Sequence, residues 1–204
     1  MGLIEKLAGM KIPAGIGEVY PGSYLLAKYL EQTHKGAKIY AVGDEGLKEE
    51  LTTLDFALVE EKADVVAVGL DHTFDYHKLS IATRELRHGA ILVTSNHDPN
   101  YPSDHGLMPG CGSLVAAIEA ASEKKAYTVG KPNTFPFELI SRERDIKKEE
   151  AIIVGDRLDS DVLFAKNCGL TSILVQSGYS KLNDIKDVRP DMVLESIATL
   201  PSNL

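Results

Sequence analysis

Cysteine is scarce in this chain: only Cys111 and Cys168 occur in 204 residues, far apart and without the short spacings of a metal site. They read as small buried residues in a reducing cytosol. No stretch of about 18 apolar residues exists, so nothing in the sequence is fit to span a bilayer. The start, Met1-Gly2-Leu3-Ile4-Glu5-Lys6, carries an acid and soon meets Gly9, Pro13 and Gly15, which makes a poor secretory signal. Lys6 stands where a myristoylation signal on Gly2 wants Ser or Thr. Positive charge is also short: 22 Lys and Arg stand against 30 Asp and Glu, a net charge of −8, and the basic residues form no stripe. Nucleic acid and anionic membrane are therefore set aside as partners. There is no internal repeat and no low-complexity linker. A soluble, cytoplasmic protein is expected.

What is present is regular. The chain is 44% hydrophobic and long enough for one large domain or two small ones. Short apolar runs alternate with helical patterns. Lys38–Val42, Asp64–Val68, Ala90–Val93, Ala126–Val129, Ala151–Val154, Ser172–Val175 and Met192–Leu194 read as strands. Helical spacing appears around Glu45–Leu51, Tyr76–Arg87, Ser113–Ala121, Phe137–Arg144 and Asp161–Asn167. Strands of four to six residues separated by helices predict βαβ units, and unbroken apolar runs predict a mainly parallel sheet covered on both faces. The fold class is α/β.

In such sheets chemistry collects where strands end. Two places stand out. In Thr128-Val129-Gly130-Lys131-Pro132 a lysine just past a strand and a glycine can bring a point charge to a phosphoryl oxygen or a carboxylate. A surface lysine at a turn is the plainer reading. In Val154-Gly155-Asp156-Arg157-Leu158-Asp159-Ser160-Asp161 three carboxylates follow an apolar strand within six residues. Such crowding calls for a cation or a proton, and oxygen ligands suit magnesium. An Asp-capped helix start would also explain it.

Gly130-Lys131-Pro132 followed by a helix, a strand and Gly155-Asp156-x-x-x-x-Asp161 resembles the third and fourth motifs of the haloacid dehalogenase (HAD) superfamily of phosphatases. The segments 40–47, 68–71, 94–98 and 107–114 resemble the large C2-type cap of the branch holding 4-nitrophenylphosphatases, phosphoglycolate phosphatases and NagD-like enzymes. The resemblance covers nearly the whole chain. It implies an HAD-like Rossmannoid core with an inserted α/β cap: a residual core segment over 1–33, the cap over 34–126 and the C-terminal half of the core over 127–204. It further implies a Mg2+-dependent hydrolase of small phosphorylated metabolites. Lys131 would hold the nucleophile and the transferring group, Asp156 would bind the metal directly, and Asp161 would support the metal shell. The loop Asn96, His97, Asp98 would close over the substrate.

Family members open with a strand ending in Asp-x-Asp-Gly, whose first aspartate attacks phosphorus, and a second strand ending in Thr-Asn-Asn. Neither motif occurs before the cap-like segments of this sequence, where residues 1–30 resemble the stretch after the second motif. A rival reading takes Val66–Phe74 and Ile91–Asn96 as the two front motifs, but it puts Gly69 where the nucleophile belongs. The expectation is thus a core sheet missing its first strands and a chain inactive alone. The Ala151–Val154 strand should present an open edge that a second copy or a complementary chain could cover. A non-catalytic binding or regulatory protein that keeps the Mg2+ and phosphate half-site is the other reading. His72, His77, His88, His97 and His105 show no ligand-like pairing. Gly106–Gly112 reads as tight backbone packing more than an anion cradle, and Tyr20, Tyr24 and Tyr29 as helix-face packing.

Overall fold

A computed structural model describes residues 3–200, so the Met1-Gly2 start lies outside it. The chain forms two compact units, Met1–Val129 and Gly130–Leu204.

In the first unit, α1 (Leu3–Gly9) and α2 (Gly22–Thr33) precede a five-stranded sheet. Its strands are β1 (Lys38–Val42), β2 (Ala57–Leu58), β3 (Val65–Val68), β4 (Ile91–Thr94) and β7 (Tyr127–Thr128). They run in the order β2-β1-β3-β4-β7, every neighbouring pair parallel. Three helices alternate with them: α3 (Glu45–Thr53), α4 (Tyr76–Arg87) and α5 (Cys111–Ser122). The period of two sorts each strand. Tyr40, Val42, Val66, Val68 and Leu92 pack with Ile81, Leu86, Val115 and Ile118 of α4 and α5. The intervening Ile39, Val65, Ala67 and Val93 are buried as well, as a sheet covered on both faces requires. α4 starts where Asp75 accepts from Lys78 N at 2.8 Å, and it ends in Arg84 and Arg87, whose charge suits a helix C-terminus.

A hairpin of β5 (Asn100–Ser103) and β6 (Gly106–Pro109) rises between β4 and α5. Its antiparallel pairing was not foreseen, because Pro102 and Pro109 argue against strands. Proline fits here since a two-stranded ribbon leaves outward donors unused.

The second unit holds α6 (Phe135–Arg144), β8 (Ile152–Gly155), α7 (Leu163–Cys168), β9 (Thr171–Val175) and β10 (Met192–Leu194). Its three strands are parallel in the order β10-β9-β8. Phe137, Phe164, Ala165, Cys168 and Leu170 pack with Ile153. Leu158, Val162 and Leu174 pack with Ile185, Val188 and Val193. Among the described residues β8 pairs only with β9, and Ile152 at its start is 40% exposed. The open edge expected of this strand is there.

Candidate active site

The carboxyl end of β8 runs straight into the acidic segment. A π-helical turn over Leu158–Val162 follows, closed by Val162 N donating to Arg157 O at 3.1 Å. Wide turns of this kind are rare and shift a side chain off the regular helical course. This one brings Asp161 back over the strand end. Its Oδ2 accepts from the amides of Asp156 and Arg157, both at 3.0 Å, and its Oδ1 from Lys131 Nζ at 2.5 Å. Asp161 is 5% exposed. Three donors satisfy its charge, which is what a buried carboxylate needs. Lys131 arrives from the turn after Val129 and remains half exposed.

Asp156 is gripped differently. Tyr179 N donates to its Oδ2 at 2.8 Å, while its Oδ1 has no hydrogen-bond partner among the described residues. Two glycines make this approach feasible. A Cβ on Gly155 would overlap the Asp161 carboxyl, and one on Gly178 would overlap that of Asp156. Asp159 turns away: it is 69% exposed and pairs with Arg157, Nη2 to Oδ2, at 3.0 Å. The three carboxylates crowded in sequence are thus dispersed, each with its own donors.

Lys131, Asp156 and Asp161 are therefore brought together within the second unit. Among the described residues no group of three His, Cys, Asp or Glu could enclose a metal. Magnesium does not ask for such a cage, since it keeps several waters and takes one or two carboxylates. Asp156 Oδ1, a hard oxygen at a strand end with a free lone pair, fits that need. Asp161, with both oxygens engaged, fits an outer role. The loop from Gly178 to Ser180, which supplies the donor to Asp156, was missed in the sequence because it carries no charge and lies 22 residues or more downstream. A Ser-Gly-Tyr turn just after a strand end was the available signal.

The loop Asn96, His97, Asp98 belongs to the first unit, at the carboxyl end of β4. Asn96 Oδ1 accepts from Asp98 N at 3.1 Å, and His97 Nδ1 lies 3.1 Å from Thr128 Oγ1. Gly112 N donates to Asp98 O at 2.8 Å, and a Cβ on Gly112 would overlap the His97 main chain. Close backbone packing is thus what this glycine provides. Elsewhere in this unit, His72 has found partners that its sequence position did not announce. Its Nδ1 lies 2.6 Å from Asp44 Oδ2, and its Nε2 3.2 Å from Tyr101 Oη.

Asp71, the carboxylate of the rival front-motif reading, is 4% exposed and bonded to Lys78 Nζ through both oxygens, at 3.0 and 2.7 Å. Thr73 adds its amide and hydroxyl. Burial pushes this carboxyl up, but Lys78 and Thr73 outweigh it and hold it below the usual range. Both oxygens of Asp71 are thus engaged by donors from its own turn and from α4. Tyr29 stacks on Tyr127 with ring centroids 5.0 Å apart, and Tyr20 meets Tyr24 edge-on at 5.8 Å. The two thiols are free and buried. Burial pushes Cys168 up to about 11 and raises Cys111. No helix among the described residues is long and apolar enough to cross a membrane.

Known proteins resemble this chain over most of its length. Residues 128–200 match the HAD-hydrolase-like family model. An acid sugar phosphatase of Staphylococcus epidermidis is 35% identical over 91% of this chain and 73% of its own length. A 4-nitrophenylphosphatase crystal structure from Thermotoga maritima superposes with a TM-score of 0.89 at 32% identity, over 95% of this chain and 75% of that one. A glycerol phosphate phosphatase from Mycobacterium tuberculosis, solved in complex with magnesium, gives 0.89 at 30% identity over 95% of this chain and 61% of that one. With identity of this level over most of both chains, and with the expected lysine and aspartates gathered at one strand end, the chain belongs to the HAD-hydrolase-like family, in the branch of the 4-nitrophenylphosphatase and NagD-like proteins.

Proposed function

We propose that the chain carries the charge-neutralising part of a Mg2+-dependent phosphomonoester hydrolase for small phosphorylated metabolites, and that it does not turn over substrate by itself. The observation that carries this reading is the Lys131–Asp161 pair beside Asp156 at the end of β8. Phosphoryl transfer depends on positioning and on neutralising the equatorial oxygens. Lys131 Nζ is anchored by Asp161 and half exposed, so its remaining donors can reach a phosphoryl oxygen. Asp156 would hold magnesium through Oδ1. Magnesium bound there would supply positive charge against the phosphoryl oxygens. Asp161 fixes both the lysine and the backbone on which Asp156 is mounted.

The first unit acts as the cap in this reading. Asn96, His97 and Asp98 offer the substrate an amide, an imidazole and a carboxylate. The likeness to an acid sugar phosphatase, a 4-nitrophenylphosphatase and a glycerol phosphate phosphatase supports a small polar phosphate ester. Two buried thiols and the absence of a basic stripe suit a cytoplasmic enzyme without nucleic-acid or membrane partners.

An attacking carboxylate completes the chemistry, and no Asp-x-Asp-Gly strand occurs in these 204 residues. Asp71 is held by Lys78, Asp159 by Arg157, and Asp161 by Lys131. Hydrolysis would then need an Asp-x-Asp strand supplied from outside these residues, by a longer chain or a partner. A version preceded by such a strand should release phosphate from 4-nitrophenyl phosphate in a manner abolished by Asp156→Ala. Failure of that version, once shown folded, would favour the second reading: a phosphate- and Mg2+-binding module without catalysis.

A further inference from the structure

The loop after β9 reaches Asp156 through its main chain alone. Tyr179 N donates to Asp156 Oδ2 at 2.8 Å, and Ser180 N donates to Asp156 O at 2.9 Å. Main-chain donors orient a carboxylate only as firmly as their loop is held. Ser180 is buried, and its Oγ accepts from Leu158 N at 3.1 Å, which fixes one side of the loop. Tyr179 is 49% exposed, yet its ring lies under the Arg157 guanidinium with Cζ 4.2 Å from the centroid. Arg157 is anchored three times over. Its amide bonds Asp161 Oδ2 at 3.0 Å, its Nε meets Asp159 Oδ1 at 3.2 Å and its Nη2 meets Asp159 Oδ2 at 3.0 Å. The guanidinium is thus a rigid, partly dehydrated plate, the form in which a cation holds an aromatic face best.

The geometry points to Tyr179 as a positioning residue: the Asp159–Arg157–Tyr179 stack clamps the loop so that Asp156 presents Oδ1 to a divalent cation. This rests on the metal-binding reading of Asp156 above and adds to it the device that orients the ligand. It also gives Asp159 a task, since that carboxylate lies outside the Lys131–Asp156–Asp161 group. Outer partners that aim a metal ligand commonly matter ten-fold or more in affinity.

The test counts free Mn2+ by electron paramagnetic resonance in the presence of the full chain, with Mg2+ as competitor. Asp156→Ala should remove binding. Tyr179→Ala keeps every hydrogen-bonding atom on Asp156 and should still weaken Mn2+ about ten-fold. Tyr179→Phe keeps the ring and should bind as the unaltered chain does, while Arg157→Met should behave as Tyr179→Ala. Hydrogen exchange at the residue 179 amide, read without metal, should speed up several-fold in Tyr179→Ala and not in Tyr179→Phe. Unchanged exchange and affinity in Tyr179→Ala, with binding still lost in Asp156→Ala, would overturn the clamp and leave the metal reading standing. Binding that survives Asp156→Ala, or none by the unaltered chain, would contradict the metal reading and the clamp with it.

Discussion

Asp161 is the residue whose surroundings leave least freedom. Its two oxygens face donors on both sides, so an amide in its place must turn its NH2 either toward the Lys131 ammonium or toward two backbone amides. Asp161→Asn should therefore cost nearly as much as Asp161→Ala, about 3 kcal/mol in urea unfolding, the lower end for breaking a buried pair because Lys131 keeps access to water. A loss near zero would mean that the π turn holds without its carboxylate. Acid should act on the same principle elsewhere. Asp71, Glu85 and Asp191 titrate below their ordinary values. In the first two, Lys78 with Thr73 and the Ala63 amide with Arg84 outweigh burial; in the third, Ser172 donates from side chain and backbone. Carboxyls depressed in the folded state stabilise it above their unfolded values, near pH ~4, and that contribution is lost as pH falls through the folded ones. Unfolding free energy should thus hold from neutrality down to about pH 5 and decline below it; a decline already complete at pH 6 would point to histidine instead. The gathering of Lys131, Asp156 and Asp161 was legible because charge at a strand end is conspicuous. Gly178 and Tyr179 were not, since their contribution is a vacant Cβ and a backbone N–H, neither of which a residue type announces.

Elements were readable where periodicity was strong. β1, α4 and β10 lie where their apolar spacing put them. The helix expected from Asp161 instead begins as a π turn at Leu158, because the hydrogen bonds to Asp161 reward a wider turn that no local pattern encodes. The β5–β6 hairpin was hidden by its two prolines. β8 carries the consequence most open to measurement, for an apolar parallel strand with one free side is a template for another chain. The unaltered chain should associate as concentration rises, by sedimentation velocity. Ile152→Lys, at the exposed start of β8, should suppress that association while changing unfolding free energy by no more than about 0.5 kcal/mol. Association unaffected by this substitution would move the contact away from β8.

At the scale of the molecule, the sequence conveyed the α/β class and the family because βαβ units and the Gly-Lys-Pro and Gly-Asp-x-x-x-x-Asp segments are local patterns. It conveyed neither the sheet order β2-β1-β3-β4-β7 nor the company His72 keeps, which come from packing between distant segments. The proposed chemistry is a division of labour. In it Lys131 and Asp156 would neutralise charge, and the group that attacks phosphorus would come from outside these 204 residues. Losing one member of a catalytic set commonly costs several powers of ten. The most direct measurement is phosphate release from 4-nitrophenyl phosphate by the purified 204-residue chain with Mg2+, beside its Asp156→Ala variant. No release above that variant is expected. Sustained release that Asp156→Ala abolishes, with phosphate trapped on an aspartate of this chain, would contradict it.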